Sequence, residues 1–242
     1  MTTIADQVVL VTGANRGLGR EFVGQFLARG ASKVYAAART PESITSGDPR
    51  VVPLQLDVTD PESIAQATKV AHDASIIVNN AGISLAASVL SSDTTGLRQE
   101  LEVNLFGPLA VTAAFADRLA ERGGAVVNVA SVLSWIGLGG SYGVSKAAVW
   151  SATDSMRLEL SARGVQVLGL YMGYVDTDMT AAVTEPKTPP ADVVRQVLDG
   201  LESGAAEVLA DHTARDVRAT LNRPASERYA SYLTPAAGPN TD

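Results

Sequence analysis

The 242-residue chain has no cysteine, so disulfides, thiolate metal sites and cysteine nucleophiles are excluded. It has two histidines, His72 and His212, far apart in sequence, which leaves no histidine-rich metal centre. No metal site is expected. Lysine and arginine form no cluster, and the net charge is −7. The electrostatic footprint of a nucleic-acid binder is therefore missing. No apolar run approaches the roughly 20 residues of a membrane span, and Met1 to Gln7 lack the basic and apolar regions of a secretory signal. The expected location is the cytoplasm.

What is present is an ordinary apolar content, 46%, enough chain for a substantial core. No linker or repeat divides the chain. We expect one domain over residues 1–234 and a loose polar tail over 235–242, where proline and glycine collect.

Val8-Val9-Leu10-Val11 is too short for a buried helix and stops at Thr12-Gly13, so it reads as a buried strand. The spacing predicts further strands over 33–38, 51–56, 75–78, 125–130 and 165–171, with a short one at 207–209. Between them lie helical stretches that begin at Leu18, Pro61, Asp93, Tyr142, Pro190 and Thr213. The stretch over 93–122 would break, if anywhere, at Gly107-Pro108, and its Leu97, Leu101, Leu105 and Leu109 repeat every fourth residue as a core or interface stripe. Strands alternating with helices predict the α/β class: a Rossmann-like, doubly wound, mostly parallel sheet with helices on both faces. Sites in such sheets lie beyond the carboxyl ends of the strands. Gly13, Arg39, Asp57, Asn79, Ser131 and Met172 all follow predicted strand ends.

Gly13-Ala14-Asn15-Arg16-Gly17-Leu18-Gly19 joins the first strand to the first helix. Glycines there let backbone N–H groups approach a pyrophosphate, and the helix N-terminus adds partial positive charge. The second strand ends at Ala38-Arg39 with no acidic residue, and Arg16 stands in the glycine loop. Two guanidiniums without a competing carboxylate suit a 2′-phosphate, so NADP(H) is expected in preference to NAD(H).

Tyr142 and Lys146 are four residues apart on a predicted helix and so share a face. A phenol titrates near about 10, and bringing it to about 7 needs roughly 4 kcal/mol of preference for phenolate. A desolvated ammonium nearby could supply much of that, which makes the pair a candidate acid/base device. The same stretch, Gly139-Gly140-Ser141-Tyr142-Gly143, also fits the G-x-S-x-G elbow of α/β-hydrolases. Asp176 or Asp192 and then His212 follow in the required order. The elbow needs a strand directly before its serine, however, and Trp135 to Gly140 is too glycine-rich for one.

Thr12 to Gly19, Asp57-Val58, Asn79-Asn80-Ala81-Gly82, Asn104, Ser131, Tyr142-x-x-x-Lys146 and Gly173-Tyr174-Val175-Asp176-Thr177 occur in this order at the predicted strand ends. Together they resemble the short-chain dehydrogenase/reductase family, small single-domain type, over essentially residues 6–210. The resemblance implies an oxidoreductase that interconverts a ketone or aldehyde and an alcohol, working as a reductase. It implies Tyr142 as general acid/base, Lys146 on the nicotinamide ribose, Ser131 polarising the carbonyl and Asn104 positioning a relay water. Cofactor contacts would come from Gly13, Asn15, Arg16, Gly17, Leu18, Gly19, Arg39, Asp57, Val58, Asn80, Ala81, Gly82, Tyr142, Lys146, Val175 and Thr177. A homotetramer or homodimer is also implied, and the loop from Tyr174 to Thr188, with Met179, Ala181, Ala182 and Val183, suggests a moderately apolar pocket for a small substrate. A non-enzymatic NADP-sensing regulator is the rival from another class, although such proteins often lose the acid/base residues. Two departures stand out. Met172 occupies a position where relatives usually carry proline, which would place an apolar side chain near the nicotinamide. The Ser131–Tyr142 connection is short and carries Trp135, Ile136 and Leu138 as an apolar pocket wall or as core.

Overall fold

The structure is a computed structural model, described for residues 2–233; the expected tail at 235–242 lies outside the described residues. Strands β1 (Val8–Thr12), β2 (Lys33–Ala38), β3 (Val51–Gln55), β4 (Ile76–Asn79), β5 (Ala125–Val129), β6 (Gln166–Tyr171) and β7 (Glu207–Leu209) pair in the order β3-β2-β1-β4-β5-β6-β7. Every pairing is parallel. The five inner strands are apolar runs buried almost throughout, as a sheet covered on both faces requires, while the edge strands β3 and β7 are partly exposed. Helices α1 (Gly17–Ala28), α2 (Pro61–Val70), α3 (Thr95–Leu101), α4 (Gly107–Arg122), α5 (Gly140–Ser161), α6 (Pro190–Ser203) and α7 (His212–Ala219) supply that cover.

The pleat sends alternate side chains of β1 to opposite layers. Val9 and Val11 join Phe22 and Phe26 of α1 and Val193, Val197 and Leu201 of α6. Leu10 joins Ile64, Phe115, Leu119, Met156 and Leu160 from α2, α4 and α5. Each such side chain, once fully buried, stabilises the fold by about 1.5–3 kcal/mol. Strand order reverses beside β1, where Val11 faces Ala36 of β2 on one side and Val78 of β4 on the other. The connections there leave in opposite directions and open a crevice at the carboxyl edge.

The helix predicted over 93–122 is not broken at Gly107-Pro108. The irregularity is a π-helical turn at Glu102–Phe106, closed by the Gly107 N–H on the Glu102 carbonyl. A proline ring at 108 would strike the Asn104 carbonyl in a regular α-turn, and the wider turn relieves that contact. Of the leucine stripe, Leu109 packs against the core. Leu97, Leu101, Leu105 and Leu109 are half-buried, while Val111, Phe115 and Leu119 are buried within that core. Two short helices, α8 (Ala225–Arg228) and α9 (Ala230–Leu233), extend past the last predicted helix. Tyr229, between them, accepts the Gly137 N–H at 2.9 Å through its hydroxyl and so docks this end on the Ser131–Tyr142 connection. Among the described residues no helix is long and apolar enough to cross a membrane.

Candidate active site

At the end of β1 the chain turns through Gly13 (φ 63°) and Gly17 (φ 51°), a region side chains disfavour. A Cβ on Gly13 would lie 3.0 Å from the Ala81 Cα. The Asn80 amide nitrogen donates to the carbonyls of Thr12 (2.8 Å) and Gly13 (3.1 Å), tying the loop to the end of β4. Asn80, expected among the cofactor contacts, thus spends its side-chain amide on the loop itself. Arg16 precedes α1 in extended conformation and gives no side-chain cap, so the first N–H groups of α1 face outward.

Arg39 is exposed after β2. Asp57 accepts both the N–H (2.9 Å) and the hydroxyl (2.7 Å) of Thr59. Those bonds, then the Arg39 charge, hold its carboxyl below the usual range. Val58 is buried against Gly107, where a Cβ would come within 2.8 Å of its Cγ2. Arg16 is not free of carboxylates, contrary to expectation. Asp178 meets it at 3.4 Å, with side chains 64% and 71% exposed. Asp178 belongs to the segment after β6, whose Val175 bridges Thr188. Its Thr177 Cγ2 would lie 3.3 Å from a Cβ on Gly17, so this segment lies over the glycine loop.

The candidate acid/base residues gather at the same edge. Lys146, 5% exposed, donates from Nζ to the Val129 carbonyl at 2.8 Å, and Nζ lies 5.6 Å from the centre of the Tyr142 ring. Asn104 is buried in the π-turn. Its Oδ1 accepts the Ile83 N–H, and its Nδ2 donates to the Ile83 carbonyl and the Ser145 hydroxyl, each at 2.9 Å. Ser145 in turn donates to the Tyr142 carbonyl at 2.8 Å. Ser131, 7% exposed, accepts the Leu133 N–H at 3.1 Å.

The titration of the pair differs from the expectation. Burial, and then the negative charge of Glu100, push the Tyr142 phenol well above its usual range, with the Ser131 hydroxyl pulling the other way. Burial lowers the Lys146 ammonium to about 8. Desolvation penalises both charged forms here, and the lysine does not bring the phenol down. Glu100 was absent from the sequence reading. Its one sequence signal is its place four residues before Asn104, on the same helical face.

A model of the short chain dehydrogenase family matches residues 7–188. The chain belongs to that family. A short chain dehydrogenase from Burkholderia cenocepacia, crystallised in complex with NADP, is 38% identical and superposes with a TM-score of 0.92 over 97% of this chain and 100% of that one. An uncharacterized oxidoreductase of Staphylococcus aureus is 30% identical over 234 residues, covering 90% of this chain and 100% of its own. The NADPH-bound carbonyl reductase from chicken fatty liver is 26% identical, with a TM-score of 0.77 over 85% and 97% of the two chains.

This dehydrogenase does not assemble the hydrolase constellation. Ser141 is fully buried, and its hydroxyl accepts the Ala87 N–H at 2.9 Å. His212 is 85% exposed on α7, paired with Asp216. Met172, expected near the nicotinamide, is buried in the core beneath α1 and α6. Its backbone is held by the Val132 N–H on its carbonyl (2.9 Å), and the next residue's N–H meets Asp211 at 2.6 Å. Trp135 is core: it stacks on Tyr171 at 4.4 Å and meets Trp150 edge-on. Leu138 stays exposed just before α5.

Proposed function

We propose that this short-chain dehydrogenase is an NADP(H)-dependent carbonyl reductase acting on a small apolar ketone or aldehyde. The observation that carries the reading is the convergence of Tyr142, Lys146, Ser131 and Asn104 beside a glycine cradle on one sheet edge. The cradle fits the cofactor: a side chain at Gly13 or Gly17 would fill it, and the N-terminus of α1 is uncapped. Gly13, Asn15, Gly17, Leu18 and Gly19 would take the pyrophosphate, with Asp57, Val58, Ala81 and Gly82 along the adenosine and Val175 and Thr177 at the carboxamide end. Arg16 and Arg39 would take the 2′-phosphate. NADPH, when bound, supplies the hydride.

In that reaction Ser131 hydrogen-bonds the carbonyl oxygen and polarises it, and Tyr142 donates the proton that the nascent alkoxide takes. A phenol held above its usual range stays protonated at neutral pH, the state reduction needs. Lys146 gives one hydrogen to Val129 and keeps others for the ribose and the phenol. Asn104, anchored at Ile83 and Ser145, holds the relay that restores the proton. Leu85, Leu138 and Met179, exposed on the segments that follow β4, β5 and β6 at the carboxyl edge, favour an apolar substrate. Lys187 offers no free anion clamp, because Asp176 lies 3.8 Å away. Half-buried leucines on α3 and α4, half-exposed Phe106 and the 79% exposed Leu158 of α5 support a homo-oligomer through these helices. The test is to follow NADPH and NADH oxidation against a panel of aldehydes and ketones. Turnover preferring NADPH is expected. Preference for NADH overturns the assignment of Arg16 and Arg39, and silence on every carbonyl overturns the reading.

A further inference from the structure

Glu100 on α3 is fully buried. Its Oε1 accepts two consecutive backbone N–H groups, Leu85 at 2.6 Å and Ala86 at 3.1 Å. Its Oε2 is buried without a hydrogen-bond partner among the described residues. Such an orphaned oxygen is costly and calls for a reason. The turn it holds is strained, since Ala86 has φ 48°, a conformation alanine rarely adopts. That segment runs along the first turns of α5. At its start a Cβ on Gly82 would lie 3.8 Å from Lys146 Nζ. At its end Ala87 exchanges two hydrogen bonds with Ser141, its N–H to Oγ and its carbonyl from the Ser141 N–H, each 2.9 Å. Tyr142 is the next residue.

We propose that Glu100 is a positioning residue of the reduction site, its buried carboxyl clamping the Leu85–Ala87 turn alongside the start of α5, where Tyr142 stands. The turn carries the half-exposed Leu85 in the segment after β4, so the clamp fixes where that apolar side chain stands at the carboxyl edge. The groups that face Tyr142 are Glu100 from α3, Lys146 from its own helix and the Ser131 hydroxyl from the end of β5. A carboxylate there opposes loss of the phenol proton, as the upward displacement of Tyr142 reflects. The inference rests on the carbonyl-reductase reading for its catalytic meaning, but its electrostatic half has a readout that needs no turnover.

That readout is the ultraviolet titration of phenolate in the full chain, taken as the difference from a Tyr142→Phe background. In Glu100→Gln, which keeps an oxygen for the two N–H groups, the Tyr142 titration should fall by about one pH unit or more. The alkaline limb of kcat/KM for ketone reduction should move down with it. Glu100→Asp, which keeps the charge and shortens its reach, should hold the titration near the parent value and raise KM for the ketone several-fold. Should the glutamine variant not fold, Glu100→Met removes the same charge with an apolar side chain of similar volume. Ser141→Ala, which loosens the far end of the turn alone, should raise KM and leave the phenolate titration in place. An unchanged titration in the uncharged variants overturns the proposal. A shifted titration in a protein that reduces no carbonyl upholds the placement of Glu100 and overturns the reductase reading instead.

Discussion

Gly19 tests the cofactor cradle through one methyl group. A Cβ at this position would sit 2.1 Å from the Gly13 carbonyl oxygen and 2.7 Å from the Asn80 amide nitrogen. The first contact is more than about 1 Å short of a normal van der Waals separation. Backbone must move, because the nearer atom is not the end of a flexible side chain. Overpacking of this kind costs about 1–3 kcal/mol, and loss of the Asn80–Gly13 bond adds about 1 kcal/mol. Gly19→Ala should therefore destabilise the protein by about 2–4 kcal/mol, lowering Tm by about 5–15 °C for a chain of this size. NADPH affinity should fall with it. Gly24→Ala is the control: it lies in the same helix with nothing within 4 Å and should gain up to about 1 kcal/mol. Thermal unfolding by circular dichroism and NADPH titration by fluorescence measure both variants. If Gly19→Ala melts with the parent and binds NADPH as tightly, the loop does not pack against α1 as described.

Asp178→Asn should tighten NADPH binding by about 1.5- to 5-fold, because an exposed ion pair such as Arg16–Asp178 is worth about 0.2–1 kcal/mol; cofactor titration at low and high salt checks it. Lys146→Met should raise stability at neutral pH while abolishing reduction. The buried ammonium falls from 10.5 to about 8, so below pH 8 folding carries a cost of about 3 kcal/mol, offset in part by the bond to Val129. The unfolded chain binds more protons across this window. Stability of the parent should therefore rise with pH from 8 to 10.5, and the difference between parent and variant should shrink, as melting curves up to about pH 10 would show. A variant less stable than the parent at neutral pH contradicts this.

The parts of the site that were legible in the sequence are those whose geometry is encoded locally. The glycine loop and the Tyr142–Lys146 pair need a strand, a turn or a single helical face, and the structure keeps them where the spacing put them. Partners far apart in the chain were hidden. Arg16 and Asp178 are separated by 162 residues, and nothing in either neighbourhood announces the pair. Glu100 was not singled out in the sequence, since its burial depends on where residues 85–87 return against α3. Trp135 and Met172 were apolar residues near strand ends, and the choice between pocket and core depended on Tyr171, Trp150 and the layer beneath α6. The break at Gly107-Pro108 was legible as an irregularity but not as a π-turn, whose wider loop depends on the Asn104 carbonyl. Tyr142 kept its place, but its titration did not follow the simple pairing with lysine, because burial outweighs the neighbouring ammonium.

In the proposed NADPH-dependent reduction the Tyr142 hydroxyl would carry the proton. The direct measurement is kcat/KM for a reactive ketone in Tyr142→Phe, with NADPH affinity measured on the same sample. The expected loss is about 10²- to 10⁴-fold in kcat/KM, with NADPH affinity within about 3-fold of the parent because the substitution removes one hydroxyl and leaves the glycine loop intact. A phenylalanine variant that reduces the ketone at the parental rate would contradict it.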